Sequence, residues 1–284
     1  MPPSLIKKLE NFDDLPPMPN TMHLVLQEME SISSNSKTLE KIIKQDPMLA
    51  AKILKIANSP LYGVAGQVNS ISHAITILGF DEVKNLIIGL SLIQAFGEDG
   101  NFNGFSTRDL WLHSIGVATA SMLIAKRAGN GFNPDECFTM GLLHDIGRFI
   151  LCKAFADEME KILKLQDEKK KPLSLVEEEQ GFSHSEIGAY LAQKWKLSEQ
   201  MASVVRYHHR PKSAGEDEPY CAVVYLADQL CHRLAIGWSS KWLPKGVMLP
   251  KSLSLTKDDV QELAREIKSK KDDLAGSWES AMGG

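Results

Sequence analysis

The stretch Gly141-Leu142-Leu143-His144-Asp145-Ile146-Gly147-Arg148 sets an imidazole and a carboxylate side by side in an otherwise apolar, helix-forming run. Both side chains can face one divalent cation near a helix end, and the carboxylate keeps a second oxygen free to bridge another metal. No alternating run in the chain is long enough for a strand, so an all-α protein is expected, with its chemistry among the helices and Gly147 as a kink or stop just beyond the pair. A His-Asp dipeptide alone is a weak signal, so its meaning depends on what surrounds it.

Helix punctuation places the surrounding residues. Upstream, Asn133-Pro134-Asp135-Glu136 combines a cap, a first-turn proline and a reciprocal carboxylate, and starts the helix that carries Phe138, Met140, Leu142 and Leu143 to His144-Asp145. Before it, Ser106 with Asp109 opens a long helix to about Ala128, stopped by Gly129, with His113 two turns inside. Downstream, Ser174 with Glu177 and Ser183 with Glu186 read as capping boxes, which puts His184 in the first turn of a helix ending near Trp195. A helix from Ser198 reaches His208-His209, where Pro211 forbids continuation, and the next, from about Pro219, carries Asp228 among Val223, Val224, Leu226 and Leu230.

Toward the N-terminus, Asp46-Pro47 begins a helix with Leu49, Ile53, Leu54 and Ala57 on one face, ended by Asn58-Ser59-Pro60. Ser70 or Ser72 opens a short helix stopped by Gly79, and Asp81 reads as the cap of another running toward Phe96. The polar, glycine-rich run from Gly97 to Gly104 is the best boundary, giving an N-terminal helical part at 1–104 and a histidine-bearing part at 105–236. Residues 237–284 then form a connector with Trp238, Trp242, Pro244 and Pro250, and a charged helix from Thr256 to about Lys270.

Composition narrows the function classes. With 284 residues, 43% of them hydrophobic and 24% charged, the chain can bury a sizeable core. A formal charge of −4 provides no basic field for nucleic acid, and no run of about 18 apolar residues predicts a membrane span. The N-terminus shows no secretion pattern, so a cytoplasmic location is expected. Cys137, Cys152, Cys221 and Cys231 lack Cys-x-x-Cys spacing and read as reduced core residues.

His113, His144, Asp145, His184, His208, His209 and Asp228 thus fall on five consecutive predicted helices or their ends. Imidazole with carboxylate suits a divalent transition metal, iron or manganese first, with zinc and nickel as alternatives. Such an ion acidifies bound water and neutralises phosphate, which is the chemistry of a phosphohydrolase. Taken singly, His113 between Trp111, Leu112 and Ile115 reads as a core histidine, and His184 as a first-turn surface one. A carboxylate near a helix C-terminus, as at Asp145, or in an apolar helix, as at Asp228, is unfavourable without positive charge beside it. Adjacent His208 and His209 would diverge by about 100° in a continuous helix, so only a helix end lets both turn inward. His23 and His73 lie outside the series, and His232 is placed on a different face from Asp228.

At these residues the chain resembles the HD superfamily, whose ligands run in the order His, His-Asp, further histidines, then Asp. It resembles HDOD domains more closely, through Asp46-Pro47 with Ile53-Leu54-Lys55-Ile56-Ala57-Asn58-Ser59, then Ile71-Ser72-His73-Ala74-Ile75 and Leu78-Gly79. His184-Ser185-Glu186-Ile187-Gly188-Ala189 through Trp195 to His208-His209-Arg210-Pro211 continues the likeness, which covers roughly residues 10–235. The resemblance implies an HD-like helical bundle with an N-terminal helical subdomain packed on it. It also implies a bacterial regulatory module that acts on a signalling partner or a phosphate-containing small ligand. By likeness to HD and HD-GYP phosphodiesterases, His113, His144, Asp145 and Asp228 would hold one metal. Asp145 would bridge to a second at His184, His208 and His209. No Gly-Tyr-Pro element follows His208-His209, and Arg148 stands where those enzymes have lysine, able to grip phosphate but not to donate a proton as lysine can. Asp145 and Arg148 are the expected catalytic residues if the alternative, an active phosphohydrolase or phosphodiesterase, holds.

Overall fold

The computed structural model describes residues 7, 9–10, 15–30, 35–64, 66–97, 100–102, 105–129, 131–240, 242–243 and 246–283. These divide into two compact units, Pro16–Glu98 with Ser269–Gly284, and Met1–Leu15 with Asp99–Lys268.

The first unit contains α1 (Asn20–Glu30), α2 (Ser36–Lys44), α3 (Pro47–Ala57), α4 (Ile71–Leu78) and α5 (Phe80–Phe96). Its starts follow local chemistry: Asp46 accepts the Leu49 N–H at 3.0 Å, and Ser70 accepts that of His73 at 3.2 Å. Asp81 does not cap α5. Gly79 occupies that place without a side-chain bond, and Asp81 falls in the first turn, where its carboxylate meets the Lys84 ammonium at 2.7 Å. From Val83 to Ile93 every residue of α5 is buried, as its nearly continuous apolar sequence requires.

In the second unit Asn101–Phe102 and Phe105–Ser106 pair as a two-residue antiparallel ribbon, the one strand pair among the described residues. Then come α6 (Thr107–Ala128), α7 (Pro134–Leu143), α8 (Ile146–Ala154), α9 (Ala156–Lys169), α10 (Leu173–Glu179), α11 (His184–Lys194), α12 (Glu199–Tyr207) and α13 (Glu218–Arg233). The α6 helix packs along α7 and α13, while α11 packs on α12 and α8. Ser106, Asn133, Ser183 and Ser198 all cap as their sequence positions predict. All four cysteines are buried thiols.

Two expectations fail here for a physical reason. Gly147 neither stops nor kinks its helix; it lies inside α8, where a Cβ would fall 2.0 Å from the His184 carbonyl oxygen. It is the contact point of α8 with α11, and the chain breaks instead at His144-Asp145. Ser174 and Glu177 form no capping box either. The N-cap of α10 is Pro172, and Glu177 is turned inward with no exposure. The last helix, α14 (Lys257–Met282), starts at the Thr256–Asp259 box but extends past Lys270, because Leu274, Trp278 and Met282 repeat every four residues on a buried face.

Candidate metal centre

Each predicted ligand enters from an element that its neighbours fix. His113 lies in the second turn of α6, His144 is the C-cap of α7, and Asp145 is the first residue before α8. His184 begins α11, His208 caps the end of α12 with His209 following, and Asp228 lies in the middle of α13. Asp145 is therefore at a helix start as much as at a helix end, so the dipole penalty expected from the sequence is largely removed. Even so its carboxylate does not cap α8; it points into the cluster.

All seven residues converge. Asp145 Oδ1 lies 3.2 Å from His184 Nε2 and 3.7 Å from His208 Nε2, and its Oδ2 lies 3.4 Å from His144 Nε2. Asp228 Oδ1 lies 3.1 Å from His113 Nε2 and 3.8 Å from His144 Nε2. His184 Nε2 has His208 Nε2 at 3.2 Å and His209 Nε2 at 3.1 Å. His209 is half-buried and the other six are buried, whereas His23 and His73 are exposed on the other unit.

The outer ring nitrogens decide what the inner ones present. His113 Nδ1 donates to the Ile236 carbonyl at 3.3 Å, His144 Nδ1 to Gly141 at 2.7 Å, and His208 Nδ1 to Val205 at 2.8 Å. His184 Nδ1 donates to the Glu177 carboxylate. A neutral imidazole that donates through Nδ1 has a bare lone pair on Nε2. In the neutral state four lone pairs are thus aimed at one another and at carboxylate oxygens, at separations that repel unless positive charge, a proton or a cation, lies between. Three buried atoms at this point, His144 Nε2, Asp145 Oδ1 and Asp228 Oδ2, make no hydrogen bond. Orphaned buried acceptors cost roughly 1–3 kcal/mol each, more when charged.

The electrostatics agree. Burial pushes the Asp145 carboxyl up, but Arg148 and His144 overturn this and hold it well below the usual carboxylate range. For Asp228 burial again opposes ionisation, and His232 and His113 outweigh it. Burial lowers His144, yet Asp145 beside it leaves that imidazole above its ordinary value, so the carboxylates draw positive charge to this spot. Desolvation first, then its imidazole neighbours, bring His208 down to about 3.

Two buried residues outside the predicted set belong to the cluster. His232 lies one turn after Asp228, so the two share a face of α13, contrary to the expectation above; four residues span just over one turn. Its Nε2 donates to Asp228 Oδ1 at 3.2 Å while its Nδ1 accepts the Ser240 N–H at 3.4 Å. This is the opposite tautomer from the other four, and burial holds the ring neutral, its pKa brought to about 3. His232 therefore orients Asp228 instead of offering a lone pair. Glu177 takes Arg148 Nε on Oε1 at 3.2 Å and His184 on Oε2. Its sequence signal was its place, with Leu173 and Val176, on the buried face of α10. The connector also contributes: Gly237, at φ +59°, closes on α6 so tightly that a Cβ would fall 2.2 Å from the His113 nitrogen. That closure sets the Ile236 carbonyl on His113 and Trp238 against Arg148, whose guanidinium carbon lies 4.8 Å from the indole centroid.

Arg148 is buried, with Nη1 on Asp145 Oδ2 and Nε on Glu177. It also lines a cavity of about 250 Å³, together with His209, Asp228, His232, Tyr225 and Arg210.

Comparison with known proteins places this arrangement. The HDOD domain family model matches residues 15–211. The chain belongs to the HDOD family. An HDOD domain protein from Geobacter sulfurreducens superposes with a TM-score of 0.82 at 26% identity, over 95% of this chain and 94% of that one. A candidate phosphohydrolase from Shewanella amazonensis SB2B gives a TM-score of 0.72 at 25% identity, covering 95% and 97%. An uncharacterized protein of Treponema pallidum is 26% identical over 225 residues, which are 77% of this chain but only 42% of that protein. The chain shares the helical fold of these neighbours, and its second unit brings together the His/Asp groups described above.

Proposed function

We propose that this HDOD chain is a bacterial signalling module that holds one or two divalent transition ions. The ligands are His113, His144, Asp145 and Asp228 for one ion, and His184, His208 and His209 with a shared Asp145 for a second. The observation that carries this reading is the set of four imidazoles whose Nδ1–H groups are tied outward, leaving bare Nε2 atoms against orphaned carboxylate oxygens. Donor separations of 3.1 and 3.2 Å match ligands sharing one ion, since bonds of about 2.1 Å put adjacent donors roughly 3.0–3.4 Å apart, and those of 3.7 and 3.8 Å would close by a few tenths of an ångström on binding. Nitrogen-rich ligation favours iron or manganese, with zinc or nickel as alternatives, over magnesium or calcium. Metal analysis of protein purified without chelator should find one or two equivalents of transition metal per chain. A well-folded, metal-free protein would sink the ligand assignment.

The signalling role rests on the family and on the missing Gly-Tyr-Pro element after His208-His209. Its output is contact with a signalling protein or capture of a phosphate-containing ligand. Among the described residues no helix is long and apolar enough to cross a membrane, in keeping with a cytoplasmic partner.

A second reading, phosphate-ester hydrolysis, is favoured by the cavity beside Asp228 and Arg148. Bound divalent metal supplies Lewis acidity and activation of water. Asp145 would span the two halves of the site, His232 would hold Asp228, and the cavity walls would exclude bulk water from the ester. Arg148, already committed to Asp145 and Glu177, would meet phosphate only through its cavity-facing edge. Nucleotides, cyclic dinucleotides and a generic phosphodiester with added manganese or iron test this. Turnover that survives Asp145→Ala excludes the site, and no turnover by metallated protein leaves the module.

A further inference from the structure

Four residues form a closed ring of contacts. Glu177 Oε1 accepts from Arg148 Nε at 3.2 Å; Arg148 Nη1 donates to Asp145 Oδ2; Asp145 Oδ1 lies 3.2 Å from His184 Nε2; and His184 Nδ1 donates back to Glu177 Oε2. Oε2 also lies 3.4 Å from the His184 backbone N–H, so both Glu177 oxygens are used. The carboxylate has no exposure, whereas Glu178 and Glu179 beside it turn outward to Arg210 and to Lys169 and Lys171.

We propose that Glu177 is the positioning residue of this centre: it fixes His184 in the tautomer that leaves Nε2 bare and, through Arg148, sets the orientation of Asp145. The metal consequence rests on the ligand reading above; the tautomer does not. His184 differs from His113, His144 and His208 in one respect. Their Nδ1 partners are main-chain carbonyls, which can only accept, whereas the partner of His184 is a side chain that one substitution can turn into a donor. A ring nitrogen that must bind metal depends on such an outer partner for its orientation and basicity.

Glu177→Gln isolates the effect because it preserves shape. Arg148 Nε–H needs an acceptor, so the carboxamide oxygen turns to it and the NH₂ group faces His184 Nδ1. A donor there forces Nδ1 to accept and moves the ring hydrogen to Nε2, which removes the lone pair. Proton–nitrogen correlation spectra of ¹⁵N-histidine-labelled, metal-free protein, with His184 assigned from the His184→Asn variant, read this directly. The wild type should show His184 protonated at Nδ1 and bare at Nε2, and Glu177→Gln should show the reverse. Glu177→Asp, which keeps an acceptor, should restore the wild-type pattern. In chelator competition, Glu177→Gln should hold one metal equivalent about 10–100-fold more weakly.

Unchanged His184 signals and unchanged metal retention in Glu177→Gln would overturn the inference, as would a wild-type His184 protonated at Nε2 whether or not the variant folds. A tautomer switch in Glu177→Gln, beside a wild-type protein that takes up no metal, would support the role of Glu177 and overturn only the ligand reading.

Discussion

In the unit built on α1–α5, Ile53, Ile56, Ile87, Ile88 and Leu92 fill the core, and the buried charge among its described residues is Lys84, whose ammonium reaches out to exposed Asp81. In the unit built on α6–α13, Asp145, Asp228, Glu177 and Arg148 are all buried, beside the His208 and His232 rings that burial holds neutral. Three carboxylates against one guanidinium leave an uncompensated negative charge in a low-dielectric interior, which is costly unless a cation joins it. Besides Lys84, the buried polar residues described in the first unit are neutral, such as Asn85 and Ser91, whereas the buried charges described in the second gather at one place. Clusters of this kind mark functional sites, since stability alone would replace them with leucine or valine.

The comparison breaks most sharply at Asp145. Asp145→Ala removes the carboxylate that faces both halves of the cluster and takes one of the two buried acid partners from Arg148, leaving Glu177. Losing one partner of a buried pair costs about 3–5 kcal/mol, so the midpoint of chemical unfolding should fall accordingly and bound metal should drop below one equivalent. Hydrogen exchange should accelerate in α6–α8 before α3–α5. A variant that keeps full stability and metal would mean that the acidic cluster is not what distinguishes the second unit.

Acid should sharpen the same contrast. His208 and His232 are held near 3 by burial, whereas in the unfolded chain each titrates near 6.5. Below about pH 6.5 the unfolded chain takes up protons that the folded protein refuses, so stability is lost as pH falls from there toward 3. Each ring should contribute on the order of 2 kcal/mol of loss by pH 5. Asp145 and Asp228, held low, act in the same direction: their stabilisation is present above the ordinary carboxylate range and fades as pH falls through it. Urea unfolding of chelator-treated protein at pH 7.5 and pH 5, followed by exchange in each unit, measures the effect; equal loss in both units would count against it.

What could be read in the sequence divides along the same line. Helix starts at Asp46, Ser70, Ser106, Asn133, Ser183, Ser198 and Thr256 were legible because a cap is a bond between residues two or three apart. The order His113, His144-Asp145, His184, His208-His209, Asp228 was legible because each sat at a helix end or on an apolar face. Glu177 reads as a capping residue in the sequence, since nothing local separates a carboxylate that caps from one that turns inward. The four-residue spacing of His232 from Asp228 already places both on one face, the reverse of the sequence expectation. The roles of Ile236, Trp238 and Ser240 could not be read at all, because they depend on the connector folding back to His113 and His232 across more than a hundred residues in the first case.

The smallest expected effect tests the quiet side of the comparison. Ser70 Oγ accepts the His73 N–H at the start of α4, in a unit whose stability rests on caps and apolar packing. Ser70→Ala should cost about 1 kcal/mol, the usual value of such a cap. Exchange should quicken across Ile71–Leu78, while metal content and the His184 tautomer stay as in the wild type. A fall in bound metal with Ser70→Ala would show that the helical caps of the first unit and the charged core of the second are energetically one system. The contrast between them would then describe composition and not division of labour.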